Sequence, residues 1–154
     1  MSRLARHVAA IFLLLSSPVG AQTATPEVPT PGLNDIAVVV AHPNSPTGAV
    51  ILFNPSLCQQ IGLACRFFAV HEHCHVLLGH HLNPGGNTML KERDADRCAA
   101  QNAPPQAVMA AWTLFMNGGS SSDWHTYGPP QDRARRLCLF AAQTGNWGGP
   151  FPCP

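Results

Sequence analysis

Apolar residues fall into two kinds of pattern along this chain: short unbroken β-branched runs near its beginning, and later stretches in which they return every three or four positions. Residues 36–41 (IAVVVA) and 49–53 (AVILF) are compact runs rich in Val and Ile, separated by the turn formers HPNSPTG. That predicts two short strands joined by a loop, with Asn54-Pro55-Ser56 ending the second. From Arg66 to Leu82 there is no proline, and Phe68, His71, His75, Leu78 and Leu82 trace one face of a predicted helix. Asn83-Pro84-Gly85-Gly86-Asn87 closes it. A second helix is predicted from about Met89 to Gln101, and a third from Pro105, in its first turn, through Met116 to the Gly118-Gly119 stop. A fourth should run from about Pro130 to Gly145, with Leu137, Phe140 and Ala141 as its apolar stripe. The expected architecture is α+β: a small β-hairpin or sheet beside about four helices, occupying residues 35–154.

The first residues follow neither pattern. Arg3, Arg6 and His7 precede an apolar run from Val8 to Leu15, and Val19-Gly20-Ala21 supplies small residues after it. This is the layout of a secretory signal peptide over residues 1–21, cleaved after Ala21. The run is far short of the roughly 20 apolar residues a membrane span needs. Residues 22–34 (QTATPEVPTPGLN) hold three prolines and read as an extended linker. The mature chain is expected to be secreted or periplasmic, with no transmembrane segment.

Composition narrows the classes. Charged residues are 11% and hydrophobic ones 45%, which excludes a polar disordered chain. Nine Lys+Arg against eight Asp+Glu leave no basic excess to hold nucleic acid. Six cysteines, at 58, 65, 74, 98, 138 and 153, suit an oxidising compartment, and no C-x-x-C occurs that would suggest thiol-redox chemistry. Six cysteines allow fifteen pairings. Cys58 and Cys65 flank a short turn, and Cys138 is placed to anchor the tail through Cys153. That leaves Cys74 with Cys98, joining the first two predicted helices.

Residues 71–75 read His-Glu-His-Cys-His and contain H-E-x-x-H. Histidines at i and i+4 of a helix share one side and can hold one ion. Glu72 points about 100° away, where its carboxylate reaches water at the metal without binding the metal. His73 faces away, and His80 and His81 read as helix-end residues favoured by the C-terminal dipole. A catalytic zinc site takes three protein ligands. Glu92 and Asp96, also i and i+4, lie on the next predicted helix. Glu92 would complete a His71, His75, Glu92 set for one Zn²⁺, and Asp96 would accept the ring N–H of a ligand histidine. Asp94 faces elsewhere.

H-E-x-x-H followed by E-x-x-x-D on the next helix resembles the gluzincin pattern of zinc metallopeptidases. HEHCHVLLGH with ERDADRCAA is most similar to the HtpX-type peptidase family, over roughly residues 48–140. The resemblance implies a minimal zincin-like domain, with His71, His75 and Glu92 as zinc ligands and Glu72 as general base. In such enzymes an edge strand pairs with the extended polypeptide substrate, a place the run 49–53 would fill; the residues alone support an ordinary core strand equally well. Glu92 follows His75 by 17 positions, closer than is usual for the HtpX type and nearer to ImmA/IrrE-type peptidases, and the membrane helices of HtpX itself are missing. A late family motif, a His followed by an Arg, is similar to the stretch through His125 and Arg133. It implies His125 as the donor to the reaction's oxyanion, with Tyr127 as rival by spacing. The expected function is a secreted zinc endopeptidase. The alternative is a catalytically silent zinc-binding accessory or structural protein of the same fold.

Overall fold

The computed structural model describes residues 24–119 and 123–153; the expected signal peptide, and residues 120–122 of the Gly/Ser-rich loop, lie outside the described residues. The two apolar runs become β2 (Ala37–Ala41) and β3 (Ala49–Phe53), paired antiparallel with Val39 opposite Ile51. The segment expected as a linker does more than connect. Its residues Glu27–Pro29 form β1, which pairs parallel to β3 with Val28 opposite Leu52. The sheet order is therefore β1-β3-β2. Of the two readings of residues 49–53 the core strand is the one observed, because β3 is central and β2 is the edge beside the helices. β3 carries the fully buried Ala49 and Ile51, as a strand flanked on both sides should.

Asn54-Pro55-Ser56 ends β3 and also starts a helix that the sequence reading missed. Asn54 accepts hydrogen bonds from the N–H groups of Ser56 and Leu57, and Pro55 fills the first turn of α1 (Pro55–Ile61). Both are favourable there, since the first turn has spare donors and no use for a proline N–H. α2 (Ala64–Leu77) follows at a corner, and the Cys58–Cys65 disulfide spans that corner.

α2 is shorter than its apolar spacing predicts. Leu78 ends it and Gly79 adopts φ 70°, a left-handed conformation that costs glycine little. A short 3-10 turn, His80–Leu82, comes after. Leu78 and Leu82 consequently lie at the surface, and only Phe68, His71 and His75 of the predicted face are buried.

α3 (Thr88–Asn102), α4 (Pro105–Met116) and α6 (Pro130–Ala142) match the other predicted helices, and α5 (Trp124–Tyr127) is a single extra turn. The core lies among α2, α3, α4 and α6. Phe67, Phe68 and Phe115 meet edge to face with centroids 5.6–6.2 Å apart, a favoured aromatic geometry. Alanines such as Ala95, Ala99, Ala111 and Ala134 are fully buried, so the helices approach closely around these rings. All three expected disulfides are present: Cys58–Cys65, Cys74–Cys98 between α2 and α3, and Cys138–Cys153 from α6 to the tail.

Candidate metal centre

α2 presents His71 and His75 from consecutive turns of its buried face, and α3 crosses that face with Glu92 in its second turn. The donor atoms converge. His71 Nε2 lies 3.0 Å from His75 Nε2 and 3.0 Å from Glu92 Oε2, while Glu92 Oε1 is 3.4 Å from His75 Nε2. Zinc–donor bonds of about 2.0–2.1 Å in a tetrahedron place donors roughly 3.3–3.4 Å apart, so this set fits one small cation. Two imidazole nitrogens and a carboxylate are also the donor chemistry zinc takes. These three residues form a group able to hold a metal ion.

Each histidine is oriented from behind. His71 Nδ1 is 3.0 Å from Asp96 Oδ1, one helical turn beyond Glu92 on α3. Asp96 is itself gripped by Arg133 of α6, with Nε to Oδ2 at 2.8 Å and the terminal guanidinium nitrogen to Oδ1 at 2.7 Å. Both members of this pair are buried. Arg133 is further held between the rings of Phe115 and Tyr127, at 4.5 and 4.7 Å. The Asp96 contact follows the sequence expectation; the part played by Arg133 does not appear there. Its signal was its place four residues before Leu137 on the apolar stripe of α6, where a charged side chain needs a buried partner.

His75 has a partner of another kind. His80 Nδ1 lies 2.9 Å from His75 Nδ1. A neutral His80 accepting there fixes the proton on His75 Nδ1 and frees Nε2 for a metal. His80, read from sequence as a helix-end residue, reaches this place because α2 breaks at Gly79. His73 turns away from the centre, as expected, and pairs with Glu27 of β1 at 2.8 Å.

Glu72 is buried but does not join the donor set. Its Oε2 accepts the backbone N–H of Val39 at 2.8 Å, a group on the side of β2 that faces away from β3. Burial raises the Glu72 pKa, against the lowering effect of His71 and His75. In the metal-free protein burial works against a charged His71, yet hydrogen bonds to Asp96 and Glu92 outweigh it and raise the ring to about 10. Burial likewise opposes a charged Glu92, but His71 and His75 prevail and bring it down to about 2. Asp96, despite burial, is held far below the ordinary carboxylate range by Arg133 and His71.

A cavity of about 30 Å³ opens beside this cluster, lined by Asp35, Ala37, Phe68, His71, Glu72, Tyr127 and Arg133. Larger hollows, of about 510 and 720 Å³, lie against the C-terminal tail and behind α2, neither lined by His71, His75 or Glu92. Of the two late donors weighed from sequence, Tyr127 lines the cavity. His125 is exposed, and its backbone N–H goes to Asp123 Oδ1 at 3.1 Å. The structure thus places Tyr127, and not His125, at the cavity wall. α5 is a single turn, and the Arg133 guanidinium seats the ring at its end, Tyr127, against the cavity. Burial, followed by Glu92 and Asp35, raises the phenol well above its ordinary pKa, so it remains a hydrogen-bond donor. Asp35 was not singled out from sequence, and no motif marks it.

No protein-family model, curated protein or solved structure matches this chain.

Proposed function

We propose that the chain is a secreted or periplasmic zinc-dependent endopeptidase of gluzincin type, most like the HtpX group. One observation carries the reading: the donor atoms of His71, His75 and Glu92 converge while Glu72, buried beside them, stays outside the set. A purely structural site has no use for a non-ligand acid at that place, and structural zinc sites close all four positions.

When bound, zinc supplies Lewis-acid activation of water and of the scissile carbonyl. The remaining work falls to side chains. Glu72, pinned through Oε2 to Val39, keeps Oε1 for the proton of the attacking water and later passes that proton to the leaving amine. Burial raises its pKa, which favours its holding the proton between the two transfers. Tyr127 donates to the oxyanion of the tetrahedral intermediate. Asp96 and His80 hold the ligand rings, and Arg133 holds Asp96 and Tyr127 together. β2 is the sheet edge beside Glu72, and an extended polypeptide would pair with the backbone groups of that edge that Glu72 does not occupy.

The test is metal content together with peptide turnover. Purified wild type should contain one zinc and cleave an unfolded polypeptide such as casein. Glu72→Gln should keep zinc and fold yet lose at least about 10²-fold in kcat. Wild type and variant equally inert across peptide libraries, with zinc intact, would establish the silent zinc-binding protein instead.

A further inference from the structure

Asp35 has no task in that chemistry, although it shares the cavity wall with Glu72 and Tyr127. It sits two residues before β2, and its Oδ1 accepts the N–H of Ile36 at 2.7 Å. Among the described residues no Lys, Arg or His pairs with it. Its neighbours are all answered. Arg133 answers Asp96, and a divalent ion on the His71, His75, Glu92 set balances the two charges of Glu72 and Glu92. Asp35 is left without an ion pair of its own on a wall of the cavity, with Arg133 and His71 acting on it only through space.

We infer that Asp35 selects substrates by binding a compact organic cation, the ammonium group of a peptide, at the cavity beside the metal centre. The inference rests on the peptidase reading and names its substrate class. Size supports an ammonium over an apolar or guanidinium group. A cavity of about 30 Å³ admits something close to one or two water molecules, and an ammonium head is of that size. Charge supports it as well. Desolvation at the cavity wall raises the Asp35 pKa and Glu92 adds to the rise, outweighing the lowering by the Ile36 N–H, Arg133 and His71, so the carboxylate is held in an environment that a further cation improves. Two sources provide an ammonium next to a scissile bond: the α-amine at a peptide's first residue, or a lysine side chain.

Binding can be measured without turnover in the zinc-loaded Glu72→Gln protein by calorimetry. Three peptides of equal length serve as probes: one with a free α-amine and no lysine, one N-acetylated with a single lysine, and one N-acetylated without lysine. At least one ammonium-bearing peptide should bind about tenfold more tightly than the neutral one, and which one does so identifies the source. The preference should vanish in Asp35→Asn, return in Asp35→Glu, and shrink as salt is raised. Asn keeps an acceptor for the Ile36 N–H and the position is exposed, so folding, checked by melting temperature, is preserved. Equal binding of all three peptides, or a preference that survives Asp35→Asn, overturns the inference. Cation-selective binding by a protein whose wild type cleaves none of the peptides defeats the peptidase reading and leaves the role of Asp35 standing. Cleavage without any cation preference does the reverse.

Discussion

His71 touches almost every group that matters at the centre: Glu92 and His75 through Nε2, Asp96 through Nδ1. In the metal-free protein its folded pKa, about 10, lies above the unfolded value of 6.5. Its contribution to stability is therefore full below about pH 6.5 and is lost as pH rises through about 10. Glu92 has the opposite sign. Lowered from 4.5 to about 2, it stabilises above about pH 4.5 and ceases to do so as pH falls through about 2. Metal-free protein should accordingly be most stable between about pH 4.5 and 6.5, measured as urea midpoint against pH. Zinc removes the proton from His71, so the alkaline loss should disappear in zinc-loaded protein, and zinc uptake should release protons into an unbuffered solution. An unchanged alkaline limb after loading would place the metal elsewhere. His80 gives a second residue-level test. His80→Ala deletes the partner of His75 Nδ1 without touching a ligand, and zinc affinity measured by chelator competition should fall about 10–100-fold. A negligible change would return His80 to a helix-end role.

Among the elements, what was legible in the sequence and what was not divide along a physical line. Periodicity located α3, α4 and α6 within a few residues, because each buries a continuous stripe of its own. It failed for α2 beyond Leu77, where Leu78 and Leu82 keep the spacing but Gly79 breaks the backbone, and glycine outweighs pattern. α1 was missed because Asn54-Pro55 was read as a strand stop, although the same pair caps a helix. β1 was missed because three residues that follow Pro26 and end in Pro29 carry no alternation; only the parallel pairing to β3 makes them a strand. The site divides similarly. His71, Glu72, His75, Glu92 and Asp96 could be found because each pair shares a helix, so spacing implies proximity. Tyr127 was named from sequence only as a rival donor by its spacing to Arg133, while the parts played by Arg133 and Asp35 join elements far apart in sequence and needed the tertiary fold. One element-level contact joins the two halves of the ligand set: Cys74–Cys98 ties α2 to α3 across a separation of 24 residues. Cys74→Ser with Cys98→Ser should cost about 3 kcal/mol of stability by chain entropy, read as a lower urea midpoint. It should also weaken zinc binding, since the angle between the helices sets the distance from Glu92 to the histidines. Full stability with unaltered zinc affinity would show that core packing alone fixes the angle.

At the scale of the molecule, one core serves both stability and the centre. Phe67 and Phe115, which anchor the helices, also border His71 and Arg133, so the cluster's geometry is inherited from the packing of α2, α4 and α6. No helix among the described residues is long and apolar enough to cross a membrane. The three bridges have an order as well as a location. Each joins a cysteine to the next one along the chain, the first with the second, the third with the fourth, the fifth with the sixth. None of the other fourteen pairings requires less searching. A chain threaded N-terminus first into an oxidising space meets each correct partner before any later competitor has emerged, so an oxidant acting in order of arrival arrives at the native set with no shuffling. On the proposed secretion, cells that oxidise thiols but lack disulfide isomerase should therefore yield this protein in the same amount and with the same peptide map as cells that possess it, and a mixture of scrambled bridges in their place would show that folding, rather than order of emergence, selects the pairs.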